Sequence, residues 1–145
     1  MHFITGGAYN GKRKWVKEQY HLLRFETLWL SAYQNDSLAV PFKEKTVIEG
    51  MERYIKKKAD EDKEKALAYF SLLLSEWNQW EKEDPKRQLL LIGCDITKGI
   101  VPMEQENRAW RDLTGWVYQE IARVSDRVDI IWYGISQTIK GGEGQ

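Results

Sequence analysis

Apolar positions along this chain fall alternately into short continuous runs and into stripes at helical spacing. His2 to Thr5 is a short β-prone run, cut off by Gly6-Gly7. From about Lys12 to Arg24, Trp15 or Val16, Tyr20 and Leu23 recur with the period of a helix. Thr27-Leu28-Trp29-Leu30-Ser31 reads as a second strand, followed by the loop-like Gln34-Asn35-Asp36-Ser37. Thr46-Val47-Ile48 reads as a third, stopped by Gly50. Residues 51 to 83 are mostly helical in composition, with Ala66, Phe70, Leu73, Trp77 and Trp80 on one face, and Pro85 ends that helix. Within it, Lys56 to Lys65 mixes both signs of charge and reads as a solvated helical face.

Leu89-Leu90-Leu91-Ile92 is a continuous apolar run, the mark of a strand covered on both sides. A loop from Asp95 to Pro102 leads into an amphipathic helix whose stripe is Trp110, Leu113, Val117, Ile121 and Val124. Val128 to Tyr133 and Ser136 to Lys140 are the last strand-like segments. Strands alternating with helices predict an α/β fold on a mainly parallel central sheet flanked by helices. The expected organisation is one domain over residues 1–140, with a flexible Gly-rich tail at 141–145.

Composition narrows the function classes. The chain has 145 residues and balances 22 Lys+Arg against 22 Asp+Glu, which gives no support to a general nucleic-acid or membrane-surface binder. Its single cysteine, Cys94, excludes an internal disulfide and cannot alone hold a structural zinc. At the end of an apolar run, Cys94 is expected to be buried rather than reactive. No stretch reaches the ~18–20 apolar residues of a spanning helix, and Met1 to Thr5 lacks the basic and apolar regions of a signal peptide. A soluble cytoplasmic protein is the expectation.

The strongest chemical signal is Gly6-Gly7-Ala8-Tyr9-Asn10-Gly11-Lys12-Arg13, which fits the phosphate-loop frame G-x-x-x-x-G-K. Glycines let successive backbone N–H groups curl round a phosphate, and the lysine reaches the β and γ oxygens. The match lies between the first strand and the first helix, the context the motif requires. One position departs from it. The residue after the lysine normally carries a hydroxyl that ligates Mg²⁺, and here it is Arg13. Two readings stand: a retained phosphate site for GTP or ATP, held by Lys12 and Arg13 with Mg²⁺ in question, or a tight strand-to-helix turn left from a decayed site. Carboxylates fall at two strand ends, where open α/β sheets bind nucleotides. Glu49 suits the role of holding Mg²⁺, and Asp95 is the second choice; either is also a plausible helix cap.

The C-terminal half carries a recognisable block: Gly99-Ile100-Val101-Pro102, then Arg108, Trp110-Arg111-Asp112, Gly115, Gln119 and Ala122, ending with Val128, Gly134 and Lys140. Together with Thr5-Gly6-Gly7-Ala8, it resembles the adenosylcobinamide kinase/adenosylcobinamide-phosphate guanylyltransferase family of cobalamin synthesis. That family opens with T-G-G-A-R-S-G-K-S and carries G-I-V-P before a helix with R-x-F-R-D-x-x-G-x-x-N-Q. The resemblance implies a three-layer P-loop NTPase-like fold and a homo-oligomer, commonly a trimer. It also implies phosphorylation of the hydroxyl of adenosylcobinamide, followed by GMP transfer through a guanylylated histidine. Gly6, Gly7, Gly11 and Lys12 match the phosphate loop, and Glu49 stands where the family has an acid.

The departures are as informative. Tyr9-Asn10 replace the loop's Arg-Ser, Arg13 its final Ser, and Cys94-Asp95-Ile96-Thr97 the N-E-V-G stretch. The family places its nucleophilic histidine in a long segment after the second strand. Here about fifteen residues separate Ala32 from Val47 and none is histidine; His2 and His21 lie elsewhere. The resemblance thus extends to a nucleotide-dependent kinase on adenosylcobinamide, with Lys12, Glu49 and Asp95 as catalytic residues, and not to guanylyl transfer. The alternative is a non-catalytic relative kept as a binding, regulatory or assembly protein. Arg108 and Arg111 are further candidates for phosphate contacts, and Trp116, off its helical stripe, for a ligand groove or subunit interface.

Overall fold

The structure, a computed structural model, describes residues 1–7, 11–22, 25–96 and 105–142. Six strands form one sheet: β1 (His2–Gly6), β2 (Thr27–Ser31), β3 (Lys45–Glu49), β4 (Gln88–Cys94), β5 (Arg127–Trp132) and β6 (Ile135–Lys140). Their spatial order is β2-β3-β4-β1-β5-β6. The first five are parallel, and β6 returns antiparallel to β5. The helices are α1 (Lys12–Tyr20), α2 (Met51–Lys56), α3 (Lys63–Lys82) and α4 (Gln105–Val124), with a 3₁₀ turn at Ala32–Gln34. The α/β fold with a mostly parallel sheet is the one the apolar pattern predicts.

Alternation along the strands explains the layers, since successive side chains point to opposite faces. Phe3, Ile48, Leu89 and Leu91 join one buried cluster with α2, α3 and α4, through residues such as Met51, Phe70 and Val117. Ile4, Val47, Leu90 and Ile92 join the other, where α1 supplies Val16. Three helices cover one face, and among the described helices α1 alone covers the other. The asymmetry follows from chain path. β1 passes through α1 to the far edge strand β2, whereas the connections after β3 and β4 run back in the opposite direction. The reversal point lies between β1 and β4, whose C-terminal ends are paired as Gly6 with Cys94.

The long helical segment expected over 51–83 is interrupted. After α2 the chain turns through 57–62, and α3 restarts with Asp62 accepting a hydrogen bond from the Glu64 N–H (2.9 Å). A side-chain acceptor at that point offers the backbone a helix start that the charge pattern of Lys56 to Lys65 conceals. Helix α1 stops short of Arg24, because His21 takes a left-handed conformation with φ 49°. Trp116, a candidate for a groove or an interface, is partly buried and packs against the cluster of the three-helix face. The residues Thr97 to Pro102 of the expected loop and Glu143 to Gln145 of the expected tail lie outside the described residues.

Candidate functional site

A cleft of about 1100 Å³ opens at the C-terminal ends of the strands, between the start of α1 and the ends of β3 and β4. This is the crevice that an open parallel sheet forms where its strand order reverses. Five basic residues line it against three acidic ones, so the wall carries local positive charge in a protein of zero net charge.

Backbone geometry at the phosphate-loop frame requires glycine at two places. Gly6 adopts φ 146°, and a Cβ there would sit 2.3 Å from the Ile131 carbonyl oxygen. Gly11 adopts the left-handed φ 84° and caps α1 without a side-chain hydrogen bond. Between them, Ala8, Tyr9 and Asn10 lie outside the described residues. Lys12 is buried, and its Nζ donates to the carbonyl of Gly7 (2.8 Å) and, more weakly, to that of Gly6 (3.5 Å). The lysine is thereby folded against the loop that precedes it.

Helix α1 begins Lys12-Arg13-Lys14, with no acid in its first turn. α2 and α3 each place a glutamate there, Glu52 and Glu64. Cations at the positive end of a helix are unfavourable by roughly 0.3–1 kcal/mol each. The arrangement is electrostatically incomplete, and an anion at the start of α1 would relieve it.

Arg13 is half-exposed, and its Nε lies 3.6 Å from Glu49 Oε2 at the end of β3. The guanidinium also lies over the Trp29 ring, 5.1 Å from its centroid, and the Lys17 ammonium lies 5.3 Å from the same centroid. Trp29 Nε1 donates to Glu49 Oε1 at 3.4 Å. Both oxygens of Glu49 are therefore engaged by neighbours in the protein. The donor set fits a divalent cation poorly. Arg13 offers five N–H donors and no acceptor. Among the described residues there is no group of three or more His, Cys, Asp or Glu that could hold a metal ion.

The opposite wall depends on Glu52, a residue whose role the sequence conceals. Buried in the first turn of α2, it accepts the Tyr33 hydroxyl at 2.5 Å and the Cys94 N–H at 2.9 Å. Burial and the neighbouring carboxylate hold the Tyr33 hydroxyl well above its usual range, so it stays protonated and donates. Trp110 ties α4 to the same helix by donating from Nε1 to the Glu52 carbonyl (2.8 Å). Tyr118, pushed upward in pKa chiefly by burial, donates to the Cys94 carbonyl at 2.6 Å. Cys94 is only partly buried and lines the cleft, where its Sγ lies 3.7 Å from the Tyr33 hydroxyl.

Of the residues singled out from sequence, the fold brings Gly11, Lys12, Arg13 and Glu49 to one cleft. Asp95 is next to the loop through its backbone, donating to the Gly6 carbonyl at 2.8 Å, but it is not among the lining residues, nor are Arg108 and Arg111. His21 is exposed at the end of α1, and His2 is buried at the beginning of β1. The signal that could have identified Glu52 is its place three residues after Glu49, immediately past a strand end and a glycine.

Among the described residues, no helix is long and apolar enough to cross a membrane. A search of the curated proteins found no match. A family model described as cobinamide kinase/cobinamide phosphate guanyltransferase matches residues 21–139. That span holds Glu49, Glu52, Cys94 and Asp95 and begins after the phosphate-loop frame, so the frame and the family match are separate observations. The chain belongs to the cobinamide kinase/cobinamide phosphate guanyltransferase family.

Proposed function

We propose that the cleft binds GTP or ATP, with the phosphates against the loop from Gly6 to Arg13, and that the protein phosphorylates a corrinoid hydroxyl such as that of adenosylcobinamide. The observation that carries this reading is the first turn of α1, which sets Lys12, Arg13 and Lys14 at the positive helix end with no acid in that turn. Nucleotide phosphates would offset that charge. In the transfer, the corrinoid hydroxyl oxygen bonds to the γ-phosphorus, the bond from that phosphorus to the β–γ bridging oxygen breaks, and the nucleoside diphosphate leaves. Lys12 would stabilise the transferring group and the loop amides would hold the phosphates. Glu49, which lines the cleft, would accept the hydroxyl proton.

Guanylyl transfer is left out of this function. The β2–β3 connection contains no histidine to carry the nucleotide, and the two histidines of the chain lie outside the cleft lining. The proposed protein is a cytoplasmic homo-oligomer, a trimer by family resemblance, acting as a single domain over residues 1–140.

The test is transfer of labelled γ-phosphate from ATP or GTP to adenosylcobinamide. The wild type should label the corrinoid, and Lys12→Ala should lose at least about 100-fold in rate. A second reading, a non-catalytic relative that binds without turnover, is favoured by the engagement of Glu49 with Arg13. Nucleotide binding with no label transfer selects it.

A further inference from the structure

Where a phosphate loop normally recruits a divalent cation, this chain carries a positive charge of its own. Three observations converge on it. The residue after the loop lysine is Arg13, which has no lone pair to give a metal. Its Nε lies 3.6 Å from Glu49, the strand-end carboxylate suited to hold such a cation. The guanidinium is also held at 5.1 Å from the centroid of Trp29, whose indole N–H donates to the same carboxylate. A dication at this place would meet a guanidinium of like charge, and Glu49 would have to leave two partners to bind it.

We propose that Arg13 replaces Mg²⁺ as the counter-cation of this site, so that the cleft takes the metal-free polyphosphate of a nucleotide in preference to its magnesium complex. The inference rests on the nucleotide reading above and specifies the ionic form of the ligand. A planar guanidinium can meet phosphate oxygens with two parallel N–H bonds, which suits it to the task. Glu49 then has a different role from a metal ligand. It orients Arg13 and competes with the incoming phosphates for it. Lys17, 5.3 Å from the centroid of the same ring, adds a second charge to the same wall.

Titration calorimetry with GTP and with ATP, each in excess EDTA and in excess Mg²⁺, tests this on the full chain. Wild type should bind in EDTA at least as tightly as in Mg²⁺. Arg13→Ser supplies the missing hydroxyl and removes the charge; it should lose about tenfold or more of its affinity in EDTA and regain part of it on adding Mg²⁺. Glu49→Gln gives the second arm. It should bind the metal-free nucleotide in EDTA a few-fold more tightly, because a competitor for Arg13 is gone, whereas a metal-holding Glu49 would make the same variant weaker in Mg²⁺. Binding by wild type only in Mg²⁺ overturns the inference and leaves the nucleotide reading intact. Absence of binding in both conditions overturns both. Undiminished EDTA affinity in Arg13→Ser, or weaker binding by Glu49→Gln in either condition, also overturns the inference.

Discussion

Charged side chains gather at both ends of the parallel sheet, and the two gatherings differ in how completely they satisfy themselves. Toward the N-terminal end, Asp129 is fully buried and accepts three hydrogen bonds, from His2 Nε2 (2.5 Å), Arg127 Nε (2.8 Å) and Thr138 Oγ1 (2.5 Å). The other nitrogen of His2 meets the Tyr20 hydroxyl. At the C-terminal end, Arg13 and Lys14 are respectively half and largely exposed, and the first turn of α1 has no acid. A closed cluster of charges holds strands and helix together. An open one, with excess charge beside a cleft, is where a ligand can complete the electrostatics.

Protonation follows the same division. Burial drives the His2 pKa down to about 4 against the upward pull of Asp129. The imidazole is thus neutral near pH 7, donating from Nε2 to Asp129 and accepting the Tyr20 proton at Nδ1. Burial also pushes Tyr20 up to about 12, which keeps that proton in place. For Asp129, burial acts to raise the pKa, but the hydrogen bonds from Thr138, Arg127 and His2 outweigh it and leave the carboxyl below its ordinary value.

The largest expected effect comes from opening the closed end. Asp129→Ala leaves His2, Arg127 and Thr138 without their common acceptor and should cost about 3–5 kcal/mol in urea unfolding. Arg13→Ser, at the open end, should cost under about 1 kcal/mol. Equal costs would erase the distinction between the two ends.

Acidification is the next lever. The folded-state pKa of His2 lies below its unfolded value, so the unfolded chain takes up the proton first. Stability is whole above about pH 6.5 and falls as the pH descends toward 4. The loss approaches about 1.4 kcal/mol per pH unit, roughly 3 kcal/mol in all. The depressed carboxyl of Asp129 adds a further loss only below about pH 4. Urea midpoints that stay flat between pH 7 and 5 would mean that His2 is not held neutral.

Smaller effects belong to the cleft. Lys12→Ala should weaken nucleotide binding by about tenfold or more, the worth of one charge-assisted contact of roughly 1.5–3 kcal/mol. Unchanged affinity would remove Lys12 from the site. Trp29→Leu should weaken it by about two- to fivefold, since the ring holds Arg13 and Lys17 by contacts worth roughly 0.5–1 kcal/mol. A larger loss in calorimetry would give the indole a direct role with the ligand.

Much of this architecture was legible in the apolar pattern, because burial on a sheet or helix repeats locally. The run Leu89 to Ile92 read as a doubly covered strand, and the structure divides those residues alternately between two clusters. The stripe of Leu113, Val117 and Ile121 is the buried face of α4. The phosphate-loop frame and Glu49 were visible as spacing and strand-end position. His2 and Asp129 were not, since they are 127 positions apart and meet only because β1 and β5 are neighbours. Glu52 escaped notice because an acid in a first helical turn is ordinary; its importance comes from Tyr33 and Cys94, brought to it by the sheet order. The exposure of Cys94 likewise depends on where the strand ends relative to the cleft, which an apolar run does not reveal.

Hydrogen–deuterium exchange of the full chain with and without GTP in EDTA tests most directly the claim that the two ends do different work. The account predicts slower exchange on GTP addition in peptides covering 11–17, 49–53 and 92–96, with peptides over 126–132 unchanged. Protection at 126–132, or no protection at either end, would contradict it.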